Sequence, residues 1–335
     1  MFNELMLWTK KLNDGYELAA DFHKLYVNVL PRAPKKIVFV GMGGSGIAGR
    51  IFKTFFDQRS EIPVHVVAGP TMPSYVDSQT LAIVISYSGN TWETLDVLKL
   101  LSDRHVPLFV LAHGGRAAEI AQLRNIPFTL IPESSTPRSA LGIILGFLCC
   151  LFEEMNLLPG KQIFDAFYKH ASTYLSKFSN ESFFEDFINK AKGYDSFHIW
   201  GIEGYTDAVA YRSQTQFNEN SKVAAVFGSF PEVCHNLIVG FTQFAQKPLV
   251  MLCETSFLPA HLDIALDAAS ELLYEKGVVL YKSPILGDTF EEQLFNIILW
   301  SDFASCYLAQ ERGVQARPNL FIDELKEKQK QKGIK

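Results

Sequence analysis

The chain is short of cysteine, short of charge and without a long apolar run, and each shortage removes a class of protein. Its 335 residues include 5 cysteines, an odd number, and Cys149 and Cys150 are adjacent inside an apolar stretch. That pattern suits neither a disulfide framework nor a zinc site, and the thiols are expected to be small buried hydrophobes. Charged residues make up 20% of the chain and the formal net charge is -5. A nucleic-acid surface needs a basic stripe; the tail over residues 326–335 is the nearest to one, and a solvated charged terminus accounts for it. The longest apolar run, residues 140–152, falls short of the about 20 residues that span a bilayer. Residues 1–8 contain Glu4 and lack the charged-then-apolar order of a signal segment, so the expected location is the cytoplasm. A hydrophobic content of 48% over this length provides for two domains of ordinary size.

Apolar positions at Leu5, Leu12, Tyr16, Leu18, Ala19, Phe22, Leu25, Tyr26 and Val29 lie near helical spacing until Pro31 and Pro34 stop the pattern. One long helix or a helix pair is expected there. From Lys36 the pattern changes to short apolar runs at 37–40, 64–67, 81–85, 108–111 and 128–131, with helical segments at 47–56, 91–101 and 117–123 between them. Strands buried on both faces and alternating with helices make a doubly wound parallel sheet. A helix over 139–155 follows, and Leu158-Pro159-Gly160 breaks it, which divides the chain into domains 1–157 and 158–335. After a helical block at 162–192 the theme returns: a strand at 196–200, a glycine turn Gly201-Ile202-Glu203-Gly204 and a helix over 205–217. Further strands at 248–253 and 277–281 and a long helix at 292–308 complete the second half. The expected fold class is α/β, with two doubly wound parallel sheets flanked by helices and an N-terminal helix. The second half is either a relative of the first with a degraded glycine loop or an unrelated domain of the same class.

Gly41-Met42-Gly43-Gly44-Ser45-Gly46 follows the first strand directly and opens onto a helix. Backbone N–H groups and a helix N-terminus meet at such a turn and attract anions. No lysine follows Gly46, so this is not a nucleotide-triphosphate loop, and the acid a dinucleotide fold needs about 20 positions on falls near Glu61, outside any strand end. A turn that merely lets helix and strand approach is the structural alternative. The third strand ends in Ser86-Tyr87-Ser88-Gly89-Asn90-Thr91, a second loop of hydroxyl groups running into a helix, for which Thr91 as a simple N-cap is the alternative. Both loops lie at the carboxyl edge of one sheet, where open α/β sheets bind ligands, and two anion-accepting loops on one edge describe a phosphomonoester pocket.

These two loops, together with Pro137-Arg138-Ser139, Asn218-Glu219-Asn220-Ser221-Lys222 and His235-Asn236, stand in the order found in sugar isomerase (SIS) domain proteins. Over nearly its whole length the chain resembles the bifunctional phosphoglucose/phosphomannose isomerases built of two SIS domains. The resemblance implies an aldose–ketose isomerase of sugar 6-phosphates that needs no metal or cofactor. It places the substrate phosphate on Gly44, Ser45, Ser86, Ser88 and Thr91. Glu219 matches the base that carries the proton between C2 and C1, and Arg138 the cation beside the enediolate. His235 matches a ring-opening group donated across a homodimer interface. Lys326 is the best match to the second ring-opening group, with Lys328 and Lys330 as competitors.

The chain departs from the family twice. Leu237 stands where a glutamate usually follows His-Asn, and Arg317-Pro318-Asn319 lacks the small hydroxyl residue associated with accepting the mannose epimer. Two rival functions remain. A sugar-phosphate sensor needs the loops but not Glu219, Arg138 and His235 together, and an aminosugar synthase needs an N-terminal cysteine where this chain has Met1-Phe2-Asn3.

Overall fold

The computed structural model describes residues 1–241 and 247–333. The chain forms two compact units, one built from Leu7–Tyr168 with the residues from Leu325 on, the other from Met1–Met6 with Lys169–Glu324. After one helical turn, α1 (Phe2–Leu5), the first unit begins with α2 (Trp8–Tyr26). Then β1 (Lys36–Val40), α3 (Gly44–Arg59), β2 (Val64–Val67), β3 (Thr80–Ser86), α4 (Trp92–Asp103), β4 (Leu108–Ala112), α5 (Gly115–Leu123), β5 (Phe128–Leu130) and α6 (Leu141–Glu154) follow. The five strands are parallel in the order β2-β1-β3-β4-β5. Every residue of β3 and β4 is buried, which is why both read as unbroken apolar runs rather than as alternations.

The chain winds outward from β1 in both directions, so the crevice between the carboxyl ends of β1 and β3 is the switch point where a ligand is expected. Val40 pairs with Val84, which brings the loops after these two strands side by side. The helices α2 and α6 pack almost backbone to backbone. A Cβ on Gly15 would lie 1.9 Å from the Ile143 carbonyl oxygen, and one on Gly146 2.0 Å from that of Leu12. Only glycine allows that approach.

The helix α7 (Gly160–Phe178) leads into the second unit, followed by α8 (Glu185–Ala191), β6 (Ser196–Ile202), α9 (Asp207–Gln216) and β7 (Ala224–Phe230). Then come α10 (Leu237–Gly240), β8 (Leu249–Leu252), α11 (Ala260–Glu275), β9 (Leu280–Lys282), α12 (Phe290–Glu311) and α13 (Leu320–Gln331). The strands are again parallel, in the order β7-β6-β8-β9. The one-turn helix α10 and two longer elements have no counterpart in the sequence reading. Edge strand β7 exposes Ala224 and Val226 and carries Gly228 and Ser229, so it presents no apolar run. Helix α11 buries only Leu266 and Leu273 and leaves Ile264, Leu272 and Tyr274 exposed. The helical block expected over 162–192 is interrupted where the Asn180 side chain accepts a hydrogen bond from Ser182 N at 3.1 Å. Strand β6 runs through Gly201 and Ile202, so Gly201 is not part of a turn; a Cβ there would meet Asp207 Cα at 2.5 Å.

Helix α12 is buried continuously from Phe290 to Ala309, although it carries Glu291, Glu292, Gln293, Asn296, Ser301, Asp302 and Ser305. Buried polar groups require partners, and most of these atoms have them; Asn296 donates from Nδ2 to the Pro284 carbonyl at 2.5 Å, while its Oδ1 has no partner among the described residues. Arg212 on α9 donates from Nη2 to both carboxylate oxygens of Asp302, at 2.8 and 2.9 Å, with both side chains almost wholly buried. The Gln293 amide oxygen accepts from Thr255 Oγ1 at 2.7 Å, and Glu292 pairs with Lys169 at 2.7 Å. The sheet and the loops around it are thereby locked to a polar spine rather than to a purely greasy helix.

Candidate functional site

In the first unit the glycine loop turns through Gly43, whose φ of 51° favours glycine, and α3 starts at Gly44. Ser45 is buried, and its Oγ accepts from Tyr87 N at 3.2 Å, so the hydroxyl ties the first loop to the second. The Pro137-Arg138 segment closes a third side: a Cβ on Gly44 would stand 3.4 Å from Arg138 Cα. Arg138 is buried at the start of a 3-10 turn, Pro137–Ala140, that feeds α6. Buried Lys11 donates to the Ser139 carbonyl at 2.9 Å and holds this turn. The structure therefore brings Gly44, Ser45, Ser86 and Arg138 to one edge of one sheet.

Several hydroxyls there are not consumed by the fold. Ser86 Oγ and Ser134 Oγ are buried without a hydrogen-bond partner among the described residues, and so is Trp92 Nε1. Thr91 occupies the N-cap position of α4, yet its side chain makes no cap hydrogen bond, which leaves the capping alternative without its bond. Ser88 Oγ accepts from Asn90 N at 3.3 Å, holding the loop in shape. Ser134 was not foreseen. It enters because the Tyr87 hydroxyl donates to its carbonyl at 2.8 Å and accepts from its N–H at 2.6 Å, while the Tyr87 ring stacks on His113 at 5.2 Å. Glu61 is exposed on the loop ahead of β2, not at a strand's carboxyl end, so no ribose-binding acid accompanies the glycine loop.

The corresponding edge of the second unit is filled by its own side chains. Thr206 Oγ1 accepts from Ile202 N at 2.9 Å and donates to the Cys253 carbonyl at 2.7 Å, bridging the ends of β6 and β8. Asp207 Oδ1 accepts from Gly204 N at 3.1 Å. Burial, reinforced by the neighbouring Glu203 carboxylate, pushes the Asp207 carboxyl up to about 6. An acidic group in this position repels a phosphate, so this edge does not suit the anion expected at the glycine loop of the first unit. A carboxyl raised in the folded state binds more protons than in the unfolded chain between about pH 4 and 6, so it costs stability as pH rises through that window. Asp207→Asn, whose side-chain oxygen still accepts from Gly204, is expected to stabilise the fold by on the order of 1 kcal/mol at pH 7 and by nothing near pH 4. Thermal melts at the two pH values check this.

Glu219 lies not on a loop but in a π-helical turn, Phe217–Ser221, that continues α9. Such turns are frequent at functional positions because they redirect one side chain. Every neighbour of Glu219 is anchored. Asn220 Nδ2 donates to Ser305 Oγ at 2.9 Å, Ser221 Oγ donates to the Ser305 carbonyl at 2.7 Å, and Asn218 Oδ1 accepts from Ala225 N at 2.7 Å. Phe217 is fully buried against Phe187 and Phe197. Glu219 itself is half-buried, and Asn319 Nδ2 donates to its Oε2 at 2.7 Å. Lys222, at a left-handed φ of 55°, donates from Nζ to the Glu219 carbonyl at 2.5 Å and to Asn319 Oδ1 at 2.9 Å. Asn319 is the functional candidate that sequence reading noted only for what it is not.

His235 ends an exposed 3-10 turn, Glu232–His235. Asn236 does not turn toward it: its Oδ1 caps Leu237 N at 2.6 Å and its Nδ2 donates to Glu232 at 2.8 Å. Glu232 thus supplies a carboxylate in the neighbourhood where Leu237 replaces one. Lys326 and Lys328 are exposed on α13, while Lys330 pairs with Glu327 at 2.7 Å. At about 100° per residue, Lys326 and Lys328 point to opposite sides of the helix, so one site can use only one of them. The structure brings together Glu219 with Asn319 in the second unit, and the glycine loop, the hydroxyl loop and Arg138 in the first.

Residues 187–328 match the model of the bacterial phosphoglucose isomerase C-terminal SIS domain, and residues 32–136 match the SIS domain model. A bifunctional phosphoglucose/phosphomannose isomerase from Caldicellulosiruptor bescii is 31% identical, covering 98% of each chain. A D-glucosamine-6-phosphate 4-epimerase from Sulfolobus acidocaldarius is 26% identical over 89% of this chain and 90% of its own. Among solved structures, a hypothetical protein from Thermus thermophilus superposes with a TM-score of 0.73 at 15% identity, over 98% of this chain and 91% of the other.

Proposed function

Since this chain belongs to the two-SIS-domain family of the bacterial phosphoglucose isomerase type, a family of phosphosugar isomerases, we propose that it interconverts glucose 6-phosphate and fructose 6-phosphate. The observation that carries the reading is Glu219: one half-exposed carboxylate in a turn whose other side chains are pinned to α12 and β7. A general base must be held still and remain accessible, and this residue alone in the turn meets both needs.

In this reading Glu219 removes the C2 proton and returns it at C1 through a cis-enediol. Arg138 balances the negative charge of the enediolate, at the N-terminus of a helix whose dipole adds to it. The phosphate is taken by the backbone at Gly44 and by Ser45, Ser86, Ser88 and Thr91. His235, contributed across a homodimer, and Lys326 open the sugar ring. Mannose 6-phosphate is the second candidate substrate, and Asn319 in place of a small hydroxyl residue weighs against it. No helix among the described residues is long and apolar enough to cross a membrane.

Coupled assays with glucose 6-phosphate, mannose 6-phosphate and glucosamine 6-phosphate test the proposal. Turnover of the first supports it. Turnover of glucosamine 6-phosphate alone moves the chain toward the epimerase, and binding of all three without turnover moves it to a sensor. Ser86→Ala deletes a buried hydroxyl that the fold does not use, so it leaves the melting temperature nearly unchanged. Loss of one hydrogen bond to a charged group, about 1.5–3 kcal/mol, raises KM by about 10- to 150-fold with kcat little altered. Steady-state kinetics of the variant check that split.

A further inference from the structure

We propose that Asn319, backed by Lys222, is a positioning residue that holds the Glu219 carboxylate in its working orientation. The inference rests on the reading of Glu219 as the base. Asn319 stands 100 residues from Glu219 in sequence, yet its amide nitrogen lies 2.7 Å from Oε2. The other end of the same amide is not left to solvent: Lys222 Nζ donates to Asn319 Oδ1 at 2.9 Å and also to the Glu219 carbonyl at 2.5 Å. The three residues close a ring in which a cation polarises an amide and the amide donates to a carboxylate.

That ring does two things for a base. It fixes one carboxylate oxygen, so the side chain loses the rotamer freedom that an exposed glutamate keeps. It also makes the hydrogen bond to the carboxylate a charge-assisted one, with the Lys222 ammonium polarising the amide that donates it. Of the ionisable groups around the turn, Arg212 on α9 pairs with Asp302 on α12, Tyr211 packs against Phe227 and Tyr307 donates to the Ser179 carbonyl, while β7 carries none. Arg317, two residues before Asn319, contacts Met1 Sδ at 3.5 Å.

The test is the split between kcat and KM for Asn319→Ala, Asn319→Asp and Lys222→Met, measured beside Glu219→Gln. A residue that orients the base acts on turnover and leaves substrate binding alone. Asn319→Asp replaces the donor with a second carboxylate facing Glu219 and is expected to lower kcat by about 10²-fold or more with KM little changed. Asn319→Ala lowers kcat by about tenfold with KM little changed. Lys222 is exposed, so Lys222→Met folds as the parent does and lowers kcat by a smaller factor. An unchanged kcat in Asn319→Asp and Lys222→Met, with Glu219→Gln inactive, overturns the positioning role and leaves the base intact. An active Glu219→Gln overturns the base and this inference with it.

Discussion

Glu219→Gln is expected to lower kcat for glucose 6-phosphate by about 10² to 10⁴-fold, the range that removal of a general base costs. Glutamine preserves the size of the side chain, and its oxygen still accepts from Asn319 Nδ2, so the turn keeps its shape. The anchors on either side, Asn220 and Ser221 to Ser305 and Asn218 to Ala225, do not involve the carboxylate at all. The variant should therefore melt within about a degree of the parent. Substrate binding, read as thermal protection by glucose 6-phosphate, should survive, because the substitution leaves untouched Ser45, Ser86, Ser88 and Thr91, the residues proposed to hold the phosphate. The sharpest measurement is exchange of the C2 hydrogen with deuterated water, which requires the base and nothing downstream of it. Exchange at the parental rate would remove Glu219 from the proton transfer, whatever happens to net turnover.

The second large effect concerns stability. Asp302→Ala leaves the Arg212 guanidinium buried without its carboxylate and is expected to cost about 3–5 kcal/mol. Arg212 and Asp302 are 1% and 3% exposed at the side chain, so neither can turn to water for compensation. The loss also travels, because Ser305 lies one turn beyond Asp302 on α12 and holds the turn that carries Glu219. Urea unfolding should show a lower midpoint, and kcat should fall at temperatures where the fold is still intact. Replacing both partners by apolar residues, Arg212→Met with Asp302→Leu, should recover much of the stability, since it is the unpaired charge and not the absent pair that costs. A single variant as stable as the double variant would contradict this account.

The glycine loop and the hydroxyl loop were legible as strand-to-helix turns because their signal is local. A buried strand, a run of glycines and a helix start are adjacent in sequence, and the chemistry follows from backbone geometry that glycine permits. Strands β1, β3 and β4 were legible for the same reason, each being an apolar run that both faces of the sheet demand, and edge strand β2 was legible from its valines although it exposes His65. Strand β7 was not, since an edge strand is half in water and carries Gly228 and Ser229 where an apolar residue would announce it. Helix α11 escaped likewise, with two buried residues in 16. The Asn218-Glu219-Asn220 run reads as a polar loop because its asparagines look solvated, whereas Asn220 is fully buried and bonded to Ser305.

Composition, the alternation of apolar runs with helices, and the order of short motifs determined the fold class and the family. Only the tertiary structure decided which polar residues work as partners. Asn319 meets Glu219 across 100 residues, Tyr87 clasps Ser134 across 47, and Arg212 meets Asp302 across 90. Periodicity encodes which face of an element is buried, but a hydrogen bond between distant segments depends on where packing brings them, and no local pattern records that.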